Sequence, residues 1–144
     1  MDGKAAAFVI IAGGSSLDLD ECLLSLCELP GTEAKIIVVD NSQEGLSDHL
    51  SVSFPEVSVI QPRTRLTFAQ AANVGARTAL SRGARLVFLL NDDVTVHPQA
   101  LEILADAESQ RGPGVYAPEI WPYESKRQRM RFALDWKKYL AHSV

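Results

Sequence analysis

Short apolar runs alternate along the chain with segments in which apolar positions recur every three or four residues. Four of the runs have the length of buried strands: 6–12, 35–39, 57–60 and 86–90. The segments between and after them have helical spacing: 19–27, 46–50, 68–81 and 99–109. This order, β-α-β-α-β-α-β-α, predicts an α/β fold with a mostly parallel sheet and helices on both faces.

Several of the predicted helices carry boundary signals. Asp18 with Glu21 offers a capping box for the first helix, and Gly83 would end the third. Pro98 fits the first turn of the fourth helix. Residues 115–117 form a candidate fifth strand.

Three of the predicted strands end in residues suited to ligand binding. The first runs into Ala12 and Gly13, the second into Asp40 and Asn41, and the fourth into residues 91–93. In open parallel sheets, ligands bind outside the carboxyl ends of the strands, where the strand order reverses. If the first strand lies between the second and the fourth, all three ends open onto one crevice.

The adjacent carboxylates of Asp92 and Asp93 indicate a site for a hard divalent cation. Mg²⁺ and Mn²⁺ take oxygen ligands and commonly share them with a substrate phosphate. Asn and Asp are also ordinary turn residues, and alone an acidic strand end more often makes a turn. A second strand that ends in a carboxylate, at Asp40, strengthens the metal interpretation.

Composition narrows the classes of protein and partner. The 144 residues, 47% hydrophobic and 22% charged, are typical of one soluble globular domain. A net charge of -4 opposes a nucleic-acid partner, which normally needs a basic face. With no apolar run near the ~20 residues of a membrane span and no convincing signal peptide, we expect a cytoplasmic location.

The two cysteines are predicted to be reduced core thiols. Cys22 and Cys27 lie in the same predicted helix and project about 140° apart, so they cannot form a disulfide within it.

Four motifs occur in a fixed order along the chain: Leu-x-x-Cys-Leu-x-Ser-Leu at 19–26, Ile-Val-Val-Asp-Asn-Ser at 37–42, Phe-Ala-x-Ala-x-Asn-x-Gly at 68–75 and Leu-Leu-Asn-Asp-Asp-Val at 89–94. Together they resemble the motifs of family-2 glycosyltransferases, which have the GT-A fold and transfer sugars from nucleotide-sugar donors. The resemblance covers residues 8 to about 120. Within the family, the chain is similar to the donor-binding half of a rhamnosyltransferase-like subgroup.

The resemblance implies roles for individual residues. Asp40 would hydrogen-bond the nucleobase of a nucleotide-diphosphate sugar. Asp93 would bind Mn²⁺ or Mg²⁺ bridging the donor diphosphate, with Asp92 beside it near the metal or the ribose. The remaining donor-binding residues implied are Ala12, Gly13, Asn41, Arg65 and Asn73.

Two departures from the family motifs bear on the donor site. The family's Asn-Tyr-Asn after the first strand is replaced by Ala12-Gly13-Gly14, which removes an aromatic side chain near the base. Arg65 stands where the family has Asn. With Arg63 nearby, it either pairs with a diphosphate or is a solvated loop residue, and both interpretations remain open.

The resemblance divides the chain into a donor-binding domain at 1–120 and a basic amphipathic segment at 121–144. Full-length members continue into a half that binds the acceptor and supplies a carboxylate base, and nothing after Ile120 resembles it. No catalytic residue is therefore assigned. The basic stretch at 126–140 is expected to be helical and to pack on the domain, or alternatively to contact an anionic membrane, a second copy or a partner chain.

Two other functions stay open. Residues 8–16 are similar to the glycine-rich opening of nucleotidyltransferases, although Asp18 and Asp20 follow where those enzymes have phosphate-binding Arg and Lys. A donor-binding half without an acceptor half is also expected of a truncated or degenerate module that binds nucleotide sugars or acts as a scaffold.

Overall fold

A computed structural model of the chain describes residues 6–13, 16–29, 34–42 and 44–118. Within them the alternation of strands and helices is confirmed. The elements in chain order are β1 (Ala6–Ala12), α1 (Ser16–Cys27), β2 (Lys35–Asp40), α2 (Leu46–Ser53), β3 (Ser58–Ile60), α3 (Phe68–Ser81), β4 (Leu86–Asn91) and α4 (Ala100–Arg111). The boundary at residue 120 and the predicted basic segment at 121–144 lie outside the described residues.

The four strands form one parallel sheet in the order β3-β2-β1-β4. β1 therefore lies between β2 and β4, as the crevice hypothesis requires. The register pairs Ala12 with Asp40 and Ile11 with Asn91. The carboxyl ends of the three strands consequently meet at one edge. This is the topological switch point, because β2 and β3 lie on one side of β1 and β4 lies on the other.

Helices cover both faces of the sheet, so the domain has three layers. Side chains of successive strand residues point to opposite faces. Phe8, Ile10 and Ala12 of β1 belong to a core shared with α1, α2 and α4, while Ala7, Val9 and Ile11 belong to a core shared with α3. The expected three-layer α/β sandwich is confirmed.

α3 lies close to the sheet because its inward face consists of small residues: Ala71, Ala72, Gly75 and Ala79. A Cβ atom added to Gly75 would be 2.2 Å from Cγ1 of Val9 and 3.2 Å from Cγ2 of Val39. The helix begins with a complete capping box, in which the Thr67 hydroxyl accepts from the backbone N–H of Gln70.

Helix starts differ from the expectation in two places. α1 begins at Ser16, so Asp18 lies in the first turn and does not cap the helix. Its charge there still favours the positive end of the helix dipole. α4 begins at Ala100 with Gln99 as its N-cap, so Pro98 precedes the helix and is not in its first turn.

The candidate fifth strand at 115–117 is wrong. Gly112, at φ 87°, ends α4, and the Tyr116 hydroxyl donates to the Gly112 carbonyl at 2.7 Å. The segment is thus drawn back to the helix end, and Val115 is fully exposed.

The cysteines also differ from the prediction. Cys22 is buried, but Cys27, the last residue of α1, is exposed; both are free thiols. Among the described residues, no helix is long and apolar enough to cross a bilayer.

The close approach of α3 predicts that Gly75→Ala destabilises the fold. The added methyl would overlap Val9, a buried residue with a stiff branched side chain, and such overpacking typically costs about 1–3 kcal/mol, against about 1 kcal/mol gained in helix propensity. Urea unfolding followed by circular dichroism measures the difference. Gly13→Ala is the matched control, because a Cβ there meets nothing within 4 Å. A Gly75 variant more stable than the parent, as helix propensity alone would make it, would contradict the packing argument.

Candidate functional site

A cleft of about 320 Å³ opens at the carboxyl edge of the sheet, above the ends of β1 and β4. Five of the residues predicted for the donor and metal site line it: Gly13, Asn41, Arg65, Asp92 and Asp93. Sequence reasoning thus identified a set of residues, distant along the chain, that the fold brings together.

Three other predicted donor residues do not line this cleft. Ala12 and Asp40 are fully buried, and both point to the side of the sheet covered by α1 and α2. Asn73 is an exposed residue of α3. Their roles in donor binding stay predictions.

The Asp40 carboxylate is occupied by its own loop. Oδ1 accepts from the backbone N–H of Ser42 at 3.1 Å and from its hydroxyl at 2.5 Å, and Oδ2 accepts from the N–H of Leu46 at 2.9 Å. The N-cap residue of α2, Gly45, supplies no side-chain acceptor. Asp40 therefore takes over the capping of α2 from the end of the neighbouring strand.

Asn41 joins the end of β2 to the segment before α3. Its amide nitrogen donates to the Leu66 carbonyl at 2.9 Å, and its amide oxygen accepts from the Leu66 N–H at 2.8 Å. This two-bond contact fixes the cleft wall that carries Arg65 and Phe68. Asn41 thus shapes the site as well as lining it.

Asp92 and Asp93 form the turn that follows β4. Oδ2 of Asp92 accepts from the backbone N–H of Gly13 at 2.9 Å, which ties the turn to the end of β1. Asp93 is exposed in the cleft. Two adjacent carboxylates therefore lie on the same wall of one site.

Beneath this turn, the Cys22 thiol lies 3.8 Å from the carbonyl oxygen of Asn91. Burial, together with the negative charges of Asp92 and Asp93, raises the pKa of the Cys22 thiol to about 12. The thiol is therefore protonated at neutral pH, so it supplies neither a nucleophile nor a soft thiolate ligand.

The carboxylates on the cleft fit a metal ion that is bound together with a phosphate. Within the described residues, no group of three or more His, Cys, Asp and Glu side chains could hold a metal ion. Mg²⁺, however, commonly takes only one or two carboxylates from the protein and the rest of its ligands from substrate phosphates and water. Asp92 and Asp93 match that requirement, with Arg65 available on the same cleft.

Sequence reasoning missed part of the cleft lining: Ile11, Leu66 and Phe68. Phe68, the first residue of α3, is 51% exposed, which is unusual for an aromatic side chain beside polar groups. A signal for it was available in the sequence. Phe68 is a large apolar residue at the start of a helix, and it lies outside the stripe of small residues that packs on the sheet.

The sheet order and the cleft at its switch point define a Rossmann-like α/β domain of the GT-A type. The profile described as Glycosyl transferase family 2 matches residues 8–143. The chain belongs to glycosyl transferase family 2, a match that favours this interpretation over the nucleotidyltransferase one.

Solved structures agree on the fold. The chain is similar to S. aureus TarS 1-349 in complex with UDP-GlcNAc, with a TM-score of 0.57 and 17% identity over 79% of this chain and 37% of that chain. For the complex of TarS 1-349 with UDP, the TM-score is 0.59 and the identity 18%, over 79% and 38%. The chain thus spans well under half the length of these structures. No curated protein matches it.

The buried carboxylate of Asp40 predicts a stability effect. In Asp40→Asn, an amide N–H₂ replaces one acceptor oxygen and faces a backbone donor, which should lower the free energy of unfolding by about 1–3 kcal/mol. Urea unfolding measures it. Asp48→Asn, an exposed change in the first turn of the same helix, is the control and should stay near the parent. Similar stabilities of the two variants would show that Asp40 does not cap α2.

Proposed function

We propose that this chain binds a nucleotide-diphosphate sugar and a divalent metal in the cleft, as the donor-binding part of a family-2 glycosyltransferase. The observation that carries the proposal is the pair of adjacent carboxylates, Asp92 and Asp93, on a switch-point cleft that also contains Arg65. Family membership and the UDP and UDP-GlcNAc held by the similar TarS structures support it.

The diphosphate of the donor is the natural ligand for this combination of charges. Asp93, with Asp92, would hold Mn²⁺ or Mg²⁺, which when bound neutralises charge on the departing nucleoside diphosphate. Arg65 can pair with phosphate oxygens through its planar guanidinium. Gly13 leaves space beside Asp92, since a Cβ there meets nothing within 4 Å.

Recognition of the base and sugar is the finer part of the proposal. The aromatic residue that the family has after the first strand is absent here, and Phe68 offers an aromatic face on the same cleft. Asp40 stays a proposed base ligand, although contact with a base requires its loop to release the carboxylate. The proposed class of donor is the one that rhamnosyltransferases use. A comparison of the affinities for dTDP, UDP and GDP tests this proposal.

Transfer of the sugar to an acceptor belongs to the proposal for the whole protein. The alternative is a module that binds the donor without turnover. The chain spans less than two fifths of the similar solved structures, which is consistent with such a module. Release of nucleoside diphosphate from the donor, with and without candidate acceptors, separates the two.

Metal dependence through Asp93 is the principal test. We expect nucleoside diphosphate to bind more tightly when Mn²⁺ is present, because Asp92 and Asp93 would hold the cation and its positive charge would attract the diphosphate. Asp93→Ala should remove this increase and leave the circular dichroism spectrum unchanged. Calorimetric titrations of UDP, GDP and dTDP, each with and without Mn²⁺, measure the effect.

The matched control for that experiment is Asp106→Ala, which removes an exposed carboxylate from α4 outside the cleft. It should keep the full response to Mn²⁺. If Asp93→Ala responds to Mn²⁺ as the parent does, the metal assignment is wrong.

The two neighbouring arginines provide a second test. Arg65 lines the cleft, whereas Arg63 is exposed in the same segment without lining it. Arg65→Ala should weaken nucleoside diphosphate binding by about 1.5–3 kcal/mol, the usual contribution of a hydrogen bond to a charged group. Arg63→Ala should have little effect, since exposed charges contribute little. Equal losses in both variants would indicate a diffuse charge effect and contradict a specific phosphate contact.

A further inference from the structure

We propose that Ser25 is a positioning residue for the acidic turn of Asp92 and Asp93. Its hydroxyl connects α1 to the backbone just after the turn, and thereby holds the turn where its two carboxylates could bind a cation together with a phosphate. The role of the turn in this inference rests on the proposed function; the contact itself does not.

The Ser25 hydroxyl makes two hydrogen bonds. It donates to the Cys22 carbonyl of its own helix at 2.7 Å and accepts from the backbone N–H of Val96 at 3.0 Å. A hydroxyl has one donor and two acceptor lone pairs, so both bonds form at once. The bond to Val96 joins residues 71 positions apart in the sequence.

Other helical serines show what is particular to Ser25. Ser51 and Ser81 make the same local bond, donating to the carbonyls of Asp48 at 2.8 Å and Thr78 at 2.9 Å. Both are exposed, and within the described part of the chain neither is bonded to a different element. The local bond is therefore a common feature of serine in a helix, while the bond to Val96 is a specific connection.

The acidic turn is held on both sides by one helix. Before it, the carbonyl of Asn91 faces the Cys22 thiol at 3.8 Å; after it, the N–H of Val96 binds Ser25. Cys22 and Ser25 are three residues apart and lie on the same side of α1. The third attachment, from Gly13 to Asp92, fixes the turn to β1.

Loss of the hydroxyl would affect the turn more than the rest of the domain. The side chain of Val96 is buried, so its segment cannot readily swing out to offer the N–H to water. An unpaired buried N–H is unfavourable, and the backbone would shift to find a partner. Asp93 is only three residues away, and ligand geometry at a metal tolerates displacements of about 0.5 Å.

A pair of variants with the same shape tests this role. Ser25→Thr keeps the hydroxyl, and Ser25→Val replaces it by a methyl of similar size; Ser25→Ala is a third variant and Ser51→Ala the control. Calorimetry with UDP, GDP and dTDP, with and without Mn²⁺, is performed where circular dichroism shows each protein folded. The Val and Ala variants should lose about 10- to 100-fold of the Mn²⁺-dependent affinity, as outer partners of metal ligands do. Their metal-free affinity, the Thr variant and the control should match the parent.

Amide hydrogen exchange of the ligand-free protein gives a readout that does not depend on any ligand. We expect faster exchange at residues 92–96 in the Val variant than in the Thr variant, with exchange in β1 and α3 unchanged. Unchanged exchange at 92–96 overturns the positioning role whatever the ligand data show. Faster exchange in a protein whose parent lacks any Mn²⁺ response would support the contact and overturn the proposed function alone.

Two other results would also overturn the inference. One is an intact Mn²⁺ response in both the Val and the Ala variants. The other is an equal loss of affinity with and without metal, which would indicate a general loosening of the cleft. If the Ala variant does not fold, the Thr and Val variants, which match each other in shape and volume and differ only in the hydroxyl, decide the question.

Discussion

The simultaneous pairing of β1 with β2 and β4 is the constraint on which the site depends. The two registers place the ends of β2 and β4 beside the end of β1, so residues near positions 12, 40 and 91 meet although they are up to 79 residues apart in the sequence. The pairing needs helices on both faces, because every strand residue between Ala7 and Ala12 is buried. Without the tight packing of Gly75 on Val9, α3 could not cover its face at this distance.

Alternation along the strands then decides which residues reach the cleft. Neighbouring residues point to opposite faces, and the cleft lies on the side of α3. Ile11 and Asn41 therefore line it, while Ala12 and Asp40, each one residue away, point to the α1 and α2 side. Carboxylates at two strand ends thus have different surroundings: Asp40 is used inside the fold to cap α2, and the pair after β4 is directed to the cleft.

These particulars show how much of the molecule the sequence could predict. The bounds of α3 agree with the prediction, which relied on Gly83 just beyond the end; the capping box of Thr67 and Gln70 at the start is a local signal that the prediction did not use. Strand positions followed from apolar runs, and the convergence of Gly13, Asn41 and Asp92 followed from the parallel topology. Asp40 could not be predicted as a cap, because its partner lies six residues on and the contact depends on the path of the intervening loop. The prediction of a strand at 115–117 failed for a similar reason, since the hydroxyl of Tyr116 ties this segment to the end of α4 at Gly112.

The acidic turn concentrates negative charge at the cleft. Adjacent carboxylates repel each other, and the backbone N–H of Gly13 offsets part of that repulsion by donating to Asp92. The negative potential extends below the turn, where it acts together with burial to keep the Cys22 thiol protonated. A divalent cation would relieve the repulsion, and a diphosphate would complete the shell that two side chains leave open. Since the turn is attached to β1 and to both Cys22 and Ser25 of α1, its backbone is held in place before any ligand arrives, so less ordering would remain to be done on binding.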